Sequence, residues 1–207
     1  MSSKQLKKVI LSLLLIGVTV FAADNKYDMR VAYGRADAKN FGDIIIGKTA
    51  PSNYHTHLVN IMGGYRLAHN FFHFPFDIYA QAGLSKFLEN GYNKDVYENT
   101  IALKGYYKFN FLHNQIRFGA AEGASYVYGT LKVEQEDALV NRGHISHYLN
   151  YIELSFDFDV GKLMRYKPFY GTFAGVYLHH RSGIFGLINN VKHGGSNFIC
   201  YYVEKNF

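Results

Sequence analysis

From residue 26 onward, apolar and polar residues alternate in eight stretches: Lys26–Ala36, Tyr54–Ala68, Phe76–Leu88, Val96–Phe111, Ile116–Gly129, Tyr148–Val160, Phe169–Gly183 and Ser196–Phe207. A period of two is the mark of a β-strand, whose successive side chains point to opposite faces. In the sixth stretch the even positions Ile152, Leu154, Phe156 and Phe158 are apolar. The odd positions Glu153, Ser155, Asp157 and Asp159 are polar. Between the stretches, short connections (near 69–75, 112–115 and 161–168) take turns with long ones (near 37–53, 89–95, 130–147 and 184–195). Strands of about ten residues with short turns at one end and long loops at the other predict an all-β chain. The expected fold is an eight-stranded antiparallel transmembrane β-barrel of the outer-membrane kind. Eight strands leave an interior that side chains fill, which excludes an open diffusion pore. Arg117, Glu153, Asp157, Asp159 and Arg181 fall on the inward face, where charges persist only as neutralising partners.

The first 22 residues break the pattern. Lys4, Lys7 and Lys8 precede an apolar run, Val9–Val20, and Val20-Phe21-Ala22 offers a small-residue cleavage site. Residues 1–22 therefore read as a secretory signal peptide, and residues 23–207 as a single barrel domain. The three signal lysines account for half of the net charge of +6. The remaining excess of about three suits no nucleic-acid partner. Aromatic residues make up 17% of the chain, with 3 prolines and no Trp, a composition that favours strands. Cys200 is the sole cysteine, so no intramolecular disulfide forms, and its inward register predicts a buried, inert thiol. In the last stretch Ile199, Tyr201, Val203 and Phe207 share a face, with Lys205 interrupting it. A terminal aromatic strand of this kind resembles the signal read by the barrel-assembly machinery of Gram-negative outer membranes.

Two motifs invite readings that their context rejects. Gly42–Thr49 matches the phosphate-binding pattern G-x-x-x-x-G-K-[ST]. That chemistry needs a pliant loop followed at once by a helix. Here three isoleucines fill the middle, and Ala50-Pro51-Ser52 follows, so an outer loop without nucleotide is expected. Ten histidines are present, among them His55 and His57 two apart on one face, and His144, His147 and His193 in long loops. Nothing in their spacing converges as metal ligands do, so neither metal nor cofactor is expected, and polar rim positions are the reading.

The seventh stretch, FYGTFAGVYLHHRSG, carries the candidate chemistry. Its odd face runs Phe173, Gly175, Tyr177, His179, Arg181. Its even face runs Thr172, Ala174, Val176, Leu178, His180, Ser182. With both termini in the periplasm this strand climbs to the cell surface. His180 and Ser182 then face outward at the outer rim, and Arg181 faces in. Two residues apart on one face means about 7 Å between Cα atoms, close enough for an imidazole to lean toward a hydroxyl. The pair reads either as base and nucleophile or as a polar collar where the lipid band ends.

His-x-Ser at the outer end of the penultimate strand of such a barrel resembles the PagL-type lipid A 3-O-deacylases. The likeness covers the mature chain in architecture. Its specific part is His180-Arg181-Ser182 and then Gly194-Gly195-Ser196-Asn197. The resemblance implies metal-free ester hydrolysis, with His180 as general base, Ser182 as nucleophile and lipopolysaccharide of the outer leaflet as substrate. Two positions depart from the family. Its Asn after the serine is replaced by Gly183, whose backbone N–H would serve the oxyanion. Its glutamate on the last strand has no counterpart; Asn197, outward and opposite His180 if the hairpin pairs symmetrically, is the substitute. Tyr148 and Asn150, on the outward face of the sixth stretch, would contact the glucosamine. The other reading is a non-enzymatic small barrel, an adhesin or structural outer-membrane protein.

Overall fold

The structure is a computed structural model that describes residues 26–207; the expected signal peptide lies outside the described residues. The eight strands are β1 (Tyr27–Asp37), β2 (His57–Ala68), β3 (Phe76–Leu88), β4 (Val96–Phe111), β5 (Asn114–Val127), β6 (Tyr148–Asp159), β7 (Thr172–Ser182) and β8 (Ser196–Asn206). Each pairs antiparallel with the next, and β1 closes on β8 from Asp28↔Asn206 to Asp37↔Asn197. Closure leaves no strand edge unpaired. Three short helices decorate the connections: α1 (Phe41–Ile45), α2 (Lys132–Val140) and α3 (Val160–Leu163).

The alternation places the strands closely, and the departures have local causes. β7 begins at Thr172 rather than Phe169, because Lys167–Phe169 close a 3-10 turn around Pro168 and Gly171 adopts φ 74°. β2 begins at His57 rather than Tyr54, because Pro51 is tied to Asp37 by an isolated bridge and His55 turns with φ 49°. β5 starts at Asn114 and stops at Val127, two residues earlier at each end than Ile116–Gly129. The connection 130–147 is not wholly irregular. Its segment KVEQEDALV, free of Gly and Pro, forms α2.

The wall has two unlike sides. Outward, large apolar residues such as Leu84, Ile101, Leu103, Phe118 and Tyr201 are at least half exposed, which a hydrocarbon surrounding accepts and water does not. No helix among the described residues is long and apolar enough to cross a membrane. Inward, charges interlock. Arg30 grips Glu153 with both Nη atoms, at 2.7 and 2.8 Å, and Lys104 and Tyr151 reach the same carboxylate. Arg117 holds Asp157 through two bonds of 2.8 Å and Glu204 through a third. Asp159 caps α3 through the Lys162 N–H and also takes the Gly171 N–H. The five expected inward residues are all there, and Cys200 is fully buried.

Candidate active site

β7 and β8 pair without a bulge, and His180 lies directly opposite Asn197. Their side chains meet on the outside: His180 Nδ1 is 2.6 Å from Asn197 Oδ1. The other end of that amide fixes its orientation, since Asn197 Nδ2 donates to the Lys39 carbonyl at 2.9 Å. An amide whose nitrogen is turned to a carbonyl must offer its oxygen to the imidazole. The proton of a neutral His180 therefore sits on Nδ1, and Nε2 keeps its lone pair. This is the tautomer a general base requires. Phe41, the first residue of α1, lies against the ring with centroids 4.5 Å apart.

Ser182, one step further on the same face, accepts the Ile184 N–H at Oγ, 3.0 Å away. Among the described residues no hydrogen bond joins Ser182 to His180; they share only the outward face of β7, two residues apart. Accepting from the backbone leaves the hydroxyl its own proton to give. The turn beyond is tight: Ile184 and Phe185 take φ 47° and 54°, a left-handed conformation that is a strained choice for a β-branched residue. Gly183 sits beneath Val191, and a Cβ there would lie 1.9 Å from the Val191 carbonyl oxygen. That collision is why no asparagine can follow the serine in this loop.

On the opposite flank, β6 places Asn150 across from Ser182. Asn150 is buried, and its Nδ2 has no hydrogen-bond partner. Tyr148 is half exposed at the rim, and its carbonyl takes bonds of 2.8 Å from Ser146 and 2.9 Å from Asn189.

Sequence reasoning missed what stands behind this face. Arg181, inward between His180 and Ser182, pairs with Glu134 of α2 at 3.0 Å and lies 3.8 Å from Glu98. The Glu134 contact is an ion pair rather than an aligned hydrogen bond. Glu134 also accepts from Ser196, the residue before Asn197, at 2.8 Å. Asp137 accepts the Gly194 N–H at 2.6 Å. α2 thus closes the outer mouth and ties down the ends of both strands that carry the site. Burial raises the pKa of the Glu134 carboxyl even with Arg181 beside it. The unbroken run of helix formers in 132–140 was a signal for the helix; nothing in it marked Glu134 as the residue that dips inside.

The remaining candidates stand apart. In Gly42–Thr49 the first residues belong to α1, Gly47 turns with φ 85°, and no helix follows Thr49. His57 bonds the Tyr33 hydroxyl at 2.9 Å on the outer face, while His55 sits in the preceding turn and shares no face with it. His147 bonds the Val127 carbonyl, and the His144 N–H bonds the His193 carbonyl.

No protein-family model matches the chain, and no curated protein matches it in sequence. Solved structures do. The crystal structure of the outer membrane enzyme PagL matches with a TM-score of 0.58 at 12% identity, covering 87% of this chain and 99% of that one. The fold is that of PagL. The crystal structure of Neisserial surface protein A (NspA) gives 0.49 at 13% identity, over 90% of this chain and 100% of the other. At such identities the likeness to PagL speaks for the barrel and its architecture alone.

Proposed function

We propose that this chain is an outer-membrane serine esterase that removes an acyl chain from lipopolysaccharide, acting from the lipid-facing side of its barrel. The observation that carries the reading is the Lys39–Asn197–His180 relay. It holds a base whose Nδ1 is fixed by the amide, on the outward face two residues from the Ser182 hydroxyl. The exposed apolar belt and the fold of an outer membrane enzyme support the outer membrane as its place, and residues 1–22 support export.

In this mechanism Ser182 Oγ attacks the ester carbonyl while its proton passes to His180 Nε2. Backbone N–H groups near Gly183 face the oxyanion. The tetrahedral centre collapses, and the sugar oxygen leaves with the proton from His180. Water, activated by the same base, then frees the fatty acid. Asn197 keeps the imidazole in register as an asparagine can in a Cys-His-Asn site. Tyr148 lies where the glucosamine would rest, and the acyl chain stays in the membrane. Phe185 and Leu187 project almost fully exposed from the loop after Ser182, an arrangement suited to acyl chains.

The rival reading, a non-enzymatic barrel with a polar collar, is favoured by the missing bond between Ser182 and His180. Mass spectrometry of lipid A from cells expressing the protein separates the two. Loss of one hydroxyacyl chain, restored by Ser182→Ala, is the expected result. An unchanged profile with the barrel present in the outer membrane refutes the esterase.

A further inference from the structure

Asn150 is the residue whose placement the fold alone does not explain. It stands on the outward face of β6, in line with Ile152, Leu154 and Phe156, where the rest of the strand is apolar. It is 6% exposed, and its Nδ2 has no acceptor. A buried amide donor without a partner is a net loss to the folded state unless something else meets it. The lumen has orphans too, such as Asn60 Oδ1 and Thr100 Oγ1, but those lie among the polar groups sealed inside the wall. Asn150 is on the other side of the wall, and its cross-strand partner is Ser182.

We propose that Asn150 is a catalytic residue, the side-chain donor that holds the oxyanion formed on Ser182. The inference rests on the esterase reading above and adds a residue to its chemistry. Side chains directly opposite on one sheet face have Cβ atoms about 4.5–5.5 Å apart. An oxygen two bonds beyond Ser182 Oγ then comes within ~3 Å of an amide on Asn150, the distance a donor needs. The layout is complementary. Proton removal is arranged on the β8 side of β7, through His180 and Asn197, and charge stabilisation on the β6 side. As Oγ bonds to the carbonyl carbon, the carbonyl π pair moves onto its oxygen and Asn150 Nδ2–H donates to it. On collapse that pair re-forms the carbonyl, the carbon–oxygen bond to the sugar breaks, and the sugar oxygen takes the proton from His180. Nothing is oxidised or reduced. A donor fixed in place before substrate arrives needs no reorganisation during the reaction, which is what makes such donors effective.

The test uses the full-length barrel refolded in detergent micelles, with purified lipid A as substrate. Folding is checked by heat-modifiable gel migration. Asn150→Leu, which matches the apolar neighbours, is expected to lower kcat about 10²–10³-fold with KM little changed. Asn150→Asp, similar in shape but offering an acceptor, should be at least as slow. A fluorophosphonate adduct of Ser182, solved at high resolution, should place a phosphonyl oxygen within hydrogen-bonding distance of Asn150 Nδ2. Wild-type kcat in a folded Asn150→Leu barrel overturns this inference and leaves the esterase reading standing. A wild type that neither hydrolyses lipid A nor takes the phosphonate removes both.

Discussion

His179 and His180 are neighbours in the chain and live on opposite sides of one wall. His179 is fully buried in the lumen, with Nε2 3.2 Å from Glu98 and its ring packed among Phe87, Tyr151 and Phe198. His180 faces out, held by a neutral amide and covered by one phenylalanine. The inner histidine belongs to an interlocked set of ionic partners, Glu98, Arg181 and Glu134. The outer one has a fixed tautomer. A strand's period of two lets adjacent residues of identical chemistry divide the work. The inner face supplies rigidity, and the outer face borrows it to hold a reactive geometry.

Replacing each histidine by alanine is the most forceful way to break that contrast. His180→Ala should remove the base and lower kcat by as much as about 10⁴-fold, with unfolding in urea and micelles unchanged. His179→Ala should do the reverse. The barrel should lose about 1–3 kcal/mol through the cavity and the weakened partnership of Glu98, while kcat per folded molecule stays near wild type. If both variants lost stability alike, or both lost only activity, the division between faces would be wrong.

Next in size is Glu153→Ala. Glu153 collects Arg30, Lys104 and Tyr151 at full burial, so its removal strands two cations in the lumen. Breaking one member of a buried ionic group costs about 3–5 kcal/mol. A matching fall in unfolding free energy is expected, read from the urea midpoint. Activity should fall only as the folded fraction falls, because Glu153 and the outward site are on opposite faces. A drop in kcat among molecules that remain folded would show that the lumen tunes the site directly.

The barrel was legible because its rule is local. LNYIELSFDFDV states its two faces in its own letters, and the same period puts Arg117 and Arg181 inside and His180 and Ser182 outside. The His180–Asn197 pairing was legible too, since a symmetric hairpin fixes it. What stayed hidden depends on segments far apart in the chain. Nothing near residue 39 announces that its carbonyl orients Asn197, 158 residues away. Nothing in KVEQEDALV tells which glutamate drops into the mouth to meet Arg181. The glycine after Ser182 was legible in sequence only as a departure from the family the chain resembles. In the fold it is a steric requirement set by Val191. Periodicity reports which face a residue is on, and loops report their contacts only once folded.

Asn197→Asp probes the smallest expected effect and the outer face most finely. A carboxylate would accept the Nδ1 proton more strongly than an amide and would stabilise the imidazolium that forms as Ser182 attacks. An advantage of about 1 kcal/mol corresponds to a kcat several-fold higher. The amide, however, spends its nitrogen on the Lys39 carbonyl, and a carboxylate would set two acceptors against each other there. The 37–53 loop, with Phe41 against the imidazole, should loosen accordingly. The predicted outcome is a kcat raised several-fold together with faster amide exchange in residues 38–46, measured by hydrogen exchange in micelles. A lower kcat with the same loosening would mean that Lys39 and Asn197 together, rather than the hydrogen bond to His180 alone, set the base. In that case the outer face depends on its loop in the way the inner face depends on its charges.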